Sequence, residues 1–342
     1  MSDTPNMELS FLGGPQPQRG VGVVAPFDFA LDRELWRWVP DDVSLHVTRT
    51  PFVPVEVSLH LARMVSEHET LAEAVRALSA VSPEIVTYAC TSGSFVGGVA
   101  GERAMTAEMT RAGEIPALTT SGALIEALGE LGARRTAVVT PYTRSVTDAL
   151  EDYLREAGIE VSGRSYLGLT REIWRVPYRD VVDMAHQAVA GPGPAPDALF
   201  ISCTNLPTYD VIPQLEAELR IPVISANQVT IWAALRAIGR EAVGPYQALL
   251  DPAARRGPAA LGGVAAEPSR GVEGPRLPEA PLTAPEPLAG GSSLIPGPPQ
   301  APDQPLAAAV ASAGPSDGDL LPEPDGGLGL PPGPSGTSEE ER

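Results

Sequence analysis

The chain has 342 residues, with 43 acidic side chains against 24 basic ones, all arginine, and a formal net charge of −19. So acidic a surface opposes the phosphate contacts on which nucleic-acid binding rests. The complete absence of lysine excludes Schiff-base chemistry, pyridoxal phosphate catalysis and a Walker-type phosphate loop.

In chain order the hydrophobic pattern predicts strands at 21–25 and 44–49, a helix at 59–78, a strand at 85–89, a helix at 100–111, a strand at 117–119 and a helix at 122–131. There follow a strand at 136–140, a helix at 145–157, a strand at 160–166, a helix at 178–189, a strand at 198–202, a helix at 210–219, a strand at 223–225 and a helix at 229–238. Val/Ile-rich runs without strict alternation suit strands buried on both faces, and alternating β and α elements imply crossover units around parallel sheets. From Asp251 onward the composition changes. The last 92 residues hold 19 prolines, 15 glycines and no aromatic residue, and carry −8 of the charge, leaving −11 on the rest. Such a stretch buries too little apolar surface to offset its ordering entropy. Residues 249–342 are therefore expected to form a disordered Pro/Gly-rich acidic tail, and residues 1–19 a flexible N-terminus. No apolar run reaches the length of a membrane span and the N-terminus lacks a signal-peptide pattern, so a cytoplasmic protein is expected. The four histidines show no metal-ligand spacing and no GxGxxG follows a strand, so neither a metal nor another cofactor is expected.

The chain also repeats itself. Pro83-Glu-Ile-Val-Thr-Tyr-Ala-Cys90-Thr91-Ser92 resembles Pro196-Asp-Ala-Leu-Phe-Ile-Ser-Cys203-Thr204-Asn205. Further on, Ile115-Pro116-Ala-Leu-Thr-Thr-Ser-Gly, then a helix ending in Gly132, resembles Ile221-Pro222-Val-Ile-Ser-Ala-Asn-Gln, then a helix ending in Gly239. A doubled unit of this kind implies an α/β fold of two similar Rossmann-like lobes with parallel sheets, related by a pseudo-two-fold axis, with the active site in the cleft between them. The lobes are assigned to 20–121 plus 226–248 and to 122–225. Ligands of open parallel sheets bind at the carboxyl ends of the strands, where Cys90 and Cys203 both stand.

A lone free cysteine at a strand end usually packs as a small hydrophobe. Two at equivalent repeat positions, each followed by threonine, point instead to a nucleophile and partner on facing elements. The polar turns after them (Thr91-Ser92-Gly93-Ser94 and Thr204-Asn205) can aim N–H groups and hydroxyls at a carboxylate and at an enediolate formed beside it. One thiolate would act as nucleophile or base and the opposite thiol as acid.

On Tyr88-Ala-Cys90-Thr91-Ser92, Val139-Thr140-Pro141-Tyr142, Ile201-Ser202-Cys203-Thr204 and the Ile-Pro-Val-Ile-Ser run from Ile221, the chain resembles the aspartate/glutamate racemase superfamily. Within it, the resemblance is to the maleate cis–trans isomerase and arylmalonate decarboxylase branch, over residues 20–246. It implies a cofactor-independent isomerase of a small carboxylate, with Cys90 as the nucleophile that adds to the double bond of maleate and Cys203 as acid/base partner. It further implies substrate contacts from Tyr142, Thr91, Ser92 and Thr204, and a homo-oligomer as the expected assembly.

Two features depart from the pattern. Thr91-Ser92 matches the pair with which the decarboxylases bind a carboxylate, but those enzymes have glycine where this chain has Cys90. Where the maleate isomerases place an asparagine after the first strand, this chain has Asp28, which can bind a substrate amine or hydroxyl, or cap the following helix. The segment 168–175 lacks another asparagine expected there, and its Arg171 and Arg175 offer either a carboxylate contact or plain surface charge. A two-cysteine racemase or epimerase, an arylmalonate-type decarboxylase and a non-catalytic scaffold recruiting partners through the Pro-rich tail remain alternatives.

Overall fold

The computed structural model describes residues 18–251; most of the predicted tail and N-terminal arm lie outside the described residues. Two four-stranded, all-parallel sheets are present. The first has the order β2-β1-β3-β4, from β1 (Arg19–Ala25), β2 (Val43–Arg49), β3 (Ile85–Tyr88) and β4 (Ala117–Thr119). The second repeats it as β6-β5-β7-β8, from β5 (Arg135–Thr140), β6 (Glu160–Tyr166), β7 (Ala198–Ile201) and β8 (Val223–Ser225). All eight strands fall within two residues of the predicted ones. The central strands are rich in apolar residues because both of their faces are covered: every residue of β3 and β7 is buried, Thr87 included. The edge strands β2 and β6 are mostly half-exposed and accordingly mix polar with apolar residues.

The helices are α1 (Asp32–Leu35), running into a 3-10 turn (Trp36–Trp38), α2 (Leu59–Val65), α3 (His68–Ser79), α4 (Thr91–Phe95), α5 (Gly98–Gly113), α6 (Thr120–Glu130), α7 (Arg144–Glu156), α8 (Tyr178–Val189), α9 (Ile212–Leu219) and α10 (Ala226–Ala237). The single helix predicted over 59–78 is two. Leu61, Ala62 and Val65 face inward from the first piece and Leu71, Ala72 and Val75 from the second. Glu67 breaks the helix with an extended backbone, and the two pieces pack on different partners, α2 on α4 and α3 on α5. The α4 segment reads in sequence as a polar turn, since Thr-Ser-Gly-Ser has poor helix propensity. It forms a helix because the Ser94 hydroxyl donates to the Cys90 and Thr91 carbonyls at 2.7 and 2.9 Å.

The halves are joined through α6 and α10, which pack on each other. Each starts from a hydroxyl cap, Thr119 accepting from the Gly122 N–H and Ser225 from the Gln228 N–H. The hydroxyls of Thr120 and Thr230 meet between them at 2.7 Å.

At the chain ends the structure corrects two boundaries. Arg19 already belongs to β1 and is ion-paired with Glu84. Residues 249–251, assigned to the disordered tail, are ordered: Leu249 is buried and Gln247 accepts from Trp38 Nε1 at 2.9 Å and from Gln228 Nε2 at 2.7 Å. Glu216 on α9 fastens this segment by accepting the N–H groups of Val223 and Ala248, each at 2.9 Å. Burial pushes its carboxyl from 4.5 up to about 7 although both N–H groups pull the other way. The folded state thus holds a proton that the unfolded state has released, so this stabilisation is full below pH 4.5 and is lost as pH rises through 7. Between pH 5 and 8 the parent is expected to lose on the order of 2 kcal/mol relative to Glu216→Gln, measured as the difference of urea midpoints. Equal pH slopes in the two proteins would remove Glu216 as the cause.

Candidate active site

The two strand ends that carry the cysteines are built alike. Val24 lies beside Tyr88 in one sheet and Val139 beside Ile201 in the other. Each ladder runs one bond further, the Ala89 N–H donating to the Val24 carbonyl and the Ser202 N–H to the Val139 carbonyl, both at 2.8 Å. The chain then leaves each sheet, at Cys90 and at Cys203. Both thiols are free and buried, 5% and 8% exposed. They line one cleft of about 460 Å³, counting its mouth, together with Asp28, Thr91, Ser92, Tyr142, Thr204 and Asn205. Pro26, Val57, Leu61, Ala62, Val65 and Ile173 give it an apolar wall. The seven residues singled out in the sequence therefore come together in one place, from segments up to 176 positions apart.

The two thiols sit in different backbones. Cys90 is extended (φ −144°) at the N-cap of α4, whereas Cys203 has φ +90°, which a side chain with a Cβ adopts only under strain. Around Cys90 stand the Tyr88 hydroxyl, the Gly93 N–H and the Ser92 hydroxyl, the last 4.0 Å from Sγ. Around Cys203 stand the Tyr142 hydroxyl and the Asn205 N–H, which is 3.4 Å from Sγ. Burial raises both thiols above the ordinary thiol value, and the Asp28 carboxylate adds to the rise; Cys203 reaches about 12. Both are neutral at pH 7 in the free protein, which suits proton donation.

Glycine at 93 is required by the close approach of Tyr88 and Cys90. A methyl there would stand 2.4 Å from the Tyr88 hydroxyl and 3.1 Å from Cys90 Sγ. Tyr88 is fully buried and its hydroxyl donates to the Val65 carbonyl at 2.7 Å, so it has no room to withdraw. In Gly93→Ala the thiol is expected to move, slowing alkylation of Cys90 by about tenfold, in line with the cost of misplacing a reacting group. An alkylation rate equal to the parent's would show that the methyl is absorbed elsewhere.

The Tyr142 phenol is buried against Cys203, with Phe95 edge-on at 6.4 Å, and its ionisation is pushed well up by burial and the neighbouring thiol. It stays a neutral donor. The Thr91 hydroxyl is fully buried and has no partner among the described residues, so a donor is left for whatever enters the cleft. The Thr204 hydroxyl is occupied differently: it donates to the Ala89 carbonyl at 3.1 Å, tying the two cysteine turns together.

Asp28 does not cap the following helix; α1 begins four residues later, and its N-cap, Leu31, makes no side-chain bond. Its carboxyl is raised by burial, and no basic side chain is among the residues lining the cleft. Arg171 and Arg175 lie outside that lining, each paired with an acid, Glu56 and Glu172. Asn205 stands in the sequence only as a turn residue, yet its side chain clamps the Asp28 loop: Oδ1 accepts from the Ala30 N–H and Nδ2 donates to the Asp28 carbonyl, both at 2.9 Å. Its place directly after Cys203-Thr204 is the available signal. Among the described residues no cluster of potential metal ligands occurs and no helix is long and apolar enough to cross a membrane.

The arylmalonate decarboxylase family model matches residues 61–250. Arylmalonate decarboxylase of Bordetella bronchiseptica is 33% identical over 173 residues, covering 50% of this chain and 72% of that protein. Maleate isomerase of Nocardia farcinica is 30% identical over 234 residues, covering 64% of this chain and 90% of its relative. Among solved structures, a double mutant of arylmalonate decarboxylase (a glycine changed to cysteine and a cysteine to serine), in its liganded form, has a TM-score of 0.64 at 28% identity, covering 69% of this chain and all of that one. The maleate isomerase Iso from Pseudomonas putida S16 has a TM-score of 0.61 at 26% identity, covering 68% and 98%. The resemblance read from the cysteine motifs thus holds along most of both molecules, and the chain is an enzyme that belongs to the arylmalonate decarboxylase family, in the maleate isomerase and arylmalonate decarboxylase branch of the aspartate/glutamate racemase superfamily.

Proposed function

We propose that the chain catalyses cis–trans isomerisation of maleate or a closely related small unsaturated carboxylate, with Cys90 and Cys203 as the reacting groups. The observation that carries this reading is the thiol pair itself, two neutral cysteines at equivalent strand ends in one buried cleft. The Gly93 N–H and the Ser92 hydroxyl face Cys90 as donors, and the resemblance of its Tyr-Ala-Cys strand end gives it the role of nucleophile. With its proton released to solvent, Cys90 adds as the thiolate to one carbon of the double bond. A C–S bond forms, the π electrons move to the neighbouring carbon as an enediolate, and the Cys203 S–H delivers its proton there. The former double bond is then single and rotates. Cys203 takes back a proton, the C–S bond breaks, and the trans acid leaves with the Cys90 thiolate restored. Thr91, Ser92, Tyr142 and backbone N–H groups hold the carboxylates as neutral donors aimed at the developing enediolate.

A decarboxylase reading draws on the 33% identity to arylmalonate decarboxylase. It is disfavoured by Cys90, which fills the position where those enzymes have glycine. A racemase reading draws on Asp28, an acid facing the cleft with no basic residue in the lining to balance it. The deciding experiment is a proton NMR time course of the full chain with maleate in deuterated buffer. Growth of a fumarate signal supports the isomerase. An unchanged spectrum removes maleate, and the same assay with a chiral acid, read as loss of its α-proton signal, then tests racemisation.

A further inference from the structure

The repeat assigns partners to each cysteine turn, and the two halves hold them differently. Ser121 and Asn227 occupy equivalent positions, each two residues after the cap of α6 or α10, and each donates to the carbonyl of the threonine that follows a cysteine. The Ser121 hydroxyl reaches the Thr91 carbonyl at 3.3 Å, and Asn227 Nδ2 reaches the Thr204 carbonyl at 2.9 Å. In the first half Ser121 is in turn held by another hydroxyl of the same half, Ser94, at 2.6 Å. In the second half the corresponding support is a carboxylate brought over from the first. Glu34 on α1 is 8% exposed, and its Oε1 accepts from the same Asn227 amide at 3.1 Å.

Glu34 holds the other end of the Cys203 loop as well. It accepts the Thr208 N–H at 3.0 Å and the Thr208 hydroxyl at 2.9 Å, and the Tyr209 backbone adds a further donor. The 3-10 turn after α1 reinforces the grip, Arg37 pairing with Asp210 at 2.6 Å and lying 3.7 Å over the Tyr209 ring. A buried carboxylate is tolerated only when its desolvation is offset by donors, and here all of them belong to the segment that starts at Cys203 or to the asparagine bonded to it. Cys203 itself has φ +90°, a conformation that persists only where its surroundings over-determine it.

We infer that Glu34 is a positioning residue for Cys203: by holding Asn227 against the Thr204 carbonyl and Thr208 at the far end of the loop, it keeps the strained turn that aims the second thiol into the cleft. The inference rests on the role proposed above for Cys203 and names a residue of the first sequence repeat whose partners, Thr208 and Asn227, come from the second. Glu34 acts on one thiol of the two, because the Cys90 turn is held by Ser94 and Ser121 without it.

Iodoacetamide alkylation of the full chain, resolved by mass spectrometry for each cysteine, reads the two thiols separately. In Glu34→Gln, which keeps the shape and removes the charge, the Cys203 rate is expected to change by about tenfold while that of Cys90 stays within about twofold, and kcat for maleate to fall by about tenfold with KM nearly constant. Asn227→Ala should give the same pattern, and the double variant no further change, since both act through one tie. Should Glu34→Gln fail to fold, Asn227→Ala carries the test alone. Equal changes at both cysteines, no change at Cys203, or additive effects of the two substitutions would overturn the assignment. Full turnover in Cys203→Ala would instead overturn the proposed role of that thiol, while the alkylation rates still decide on Glu34.

Discussion

Cys90→Ala is expected to lose maleate turnover by at least about 10⁴-fold, the scale on which removal of a covalent nucleophile acts. No other nucleophile lines the cleft at a strand end except Cys203, which belongs to the opposite half and is held neutral by a thiol value near 12. Removing Cys203 takes away a proton donor rather than the bond-forming atom, so Cys203→Ala is expected to lose about 10²–10⁴-fold. It should also accumulate a covalent adduct on Cys90 detectable by intact mass, because addition reverses only slowly without the acid/base partner. Steady-state kinetics and mass spectrometry check both. Cys90→Gly adds a discriminating arm. If that variant decarboxylates an arylmalonate as fast as the parent does, the decarboxylase reading replaces the isomerase. If the parent isomerises maleate and the variant does not, addition through Cys90 stands.

The second large effect concerns charge. Asp28 faces the cleft, and its carboxylate raises both thiols, yet the cleft lining contains no arginine or histidine to neutralise it. A dianionic substrate is therefore repelled whenever Asp28 is ionised. Asp28→Asn is expected to raise kcat/KM for maleate at pH 8 by roughly thirtyfold, about 2 kcal/mol for a carboxylate pair at an effective dielectric near 20. The pH dependence gives an independent reading. Burial holds the Asp28 carboxyl above its ordinary value, so the advantage of the asparagine variant over the parent in kcat/KM should shrink as pH falls toward that carboxyl's range and the repulsion is protonated away. The ratio of the two proteins cancels the titration of Cys90, which both share. A loss of activity in Asp28→Asn would mean the opposite, that the carboxylate holds an amine or hydroxyl of the true substrate, and the racemase reading would take precedence.

Among the described residues the cleft is lined by neutral donors and not by cations. Tyr142, Thr91, Ser92 and the turn N–H groups are neutral donors in a buried space, where hydrogen bonds to a developing enediolate are stronger than in water. The same burial raises both thiols, which makes Cys203 a competent acid. It also means that the Cys90 anion is held by the Gly93 N–H and the Ser92 hydroxyl and not by a neighbouring cation.

The strands, the doubled architecture and the thiol pair are all legible in the local pattern of residues. Ala198–Ile201 is apolar throughout and Ile85–Tyr88 is apolar but for Thr87, because both faces of a central parallel strand are covered, and that signal is contained in four residues. The repeat places Cys90 and Cys203 at matching strand ends without any knowledge of their contacts, and the short motifs around them suffice to find the family. Other features arise only when the halves pack. The break between α2 and α3 depends on where each apolar face finds its partner, and α4 is a helix through hydroxyl bonds that a propensity scale opposes. Asp28 loses its reading as a helix cap because α1 begins four residues later, and Arg171 and Arg175 pair with acids outside the cleft. Glu34 gives no signal at all: a glutamate in Leu-Asp-Arg-Glu-Leu-Trp reads as an exposed helical acid, and its partner Thr208 is 174 residues away. Periodicity reports which way a side chain must face, whereas a buried charge is defined by the donors that gather around it, and those come from the other half of the chain.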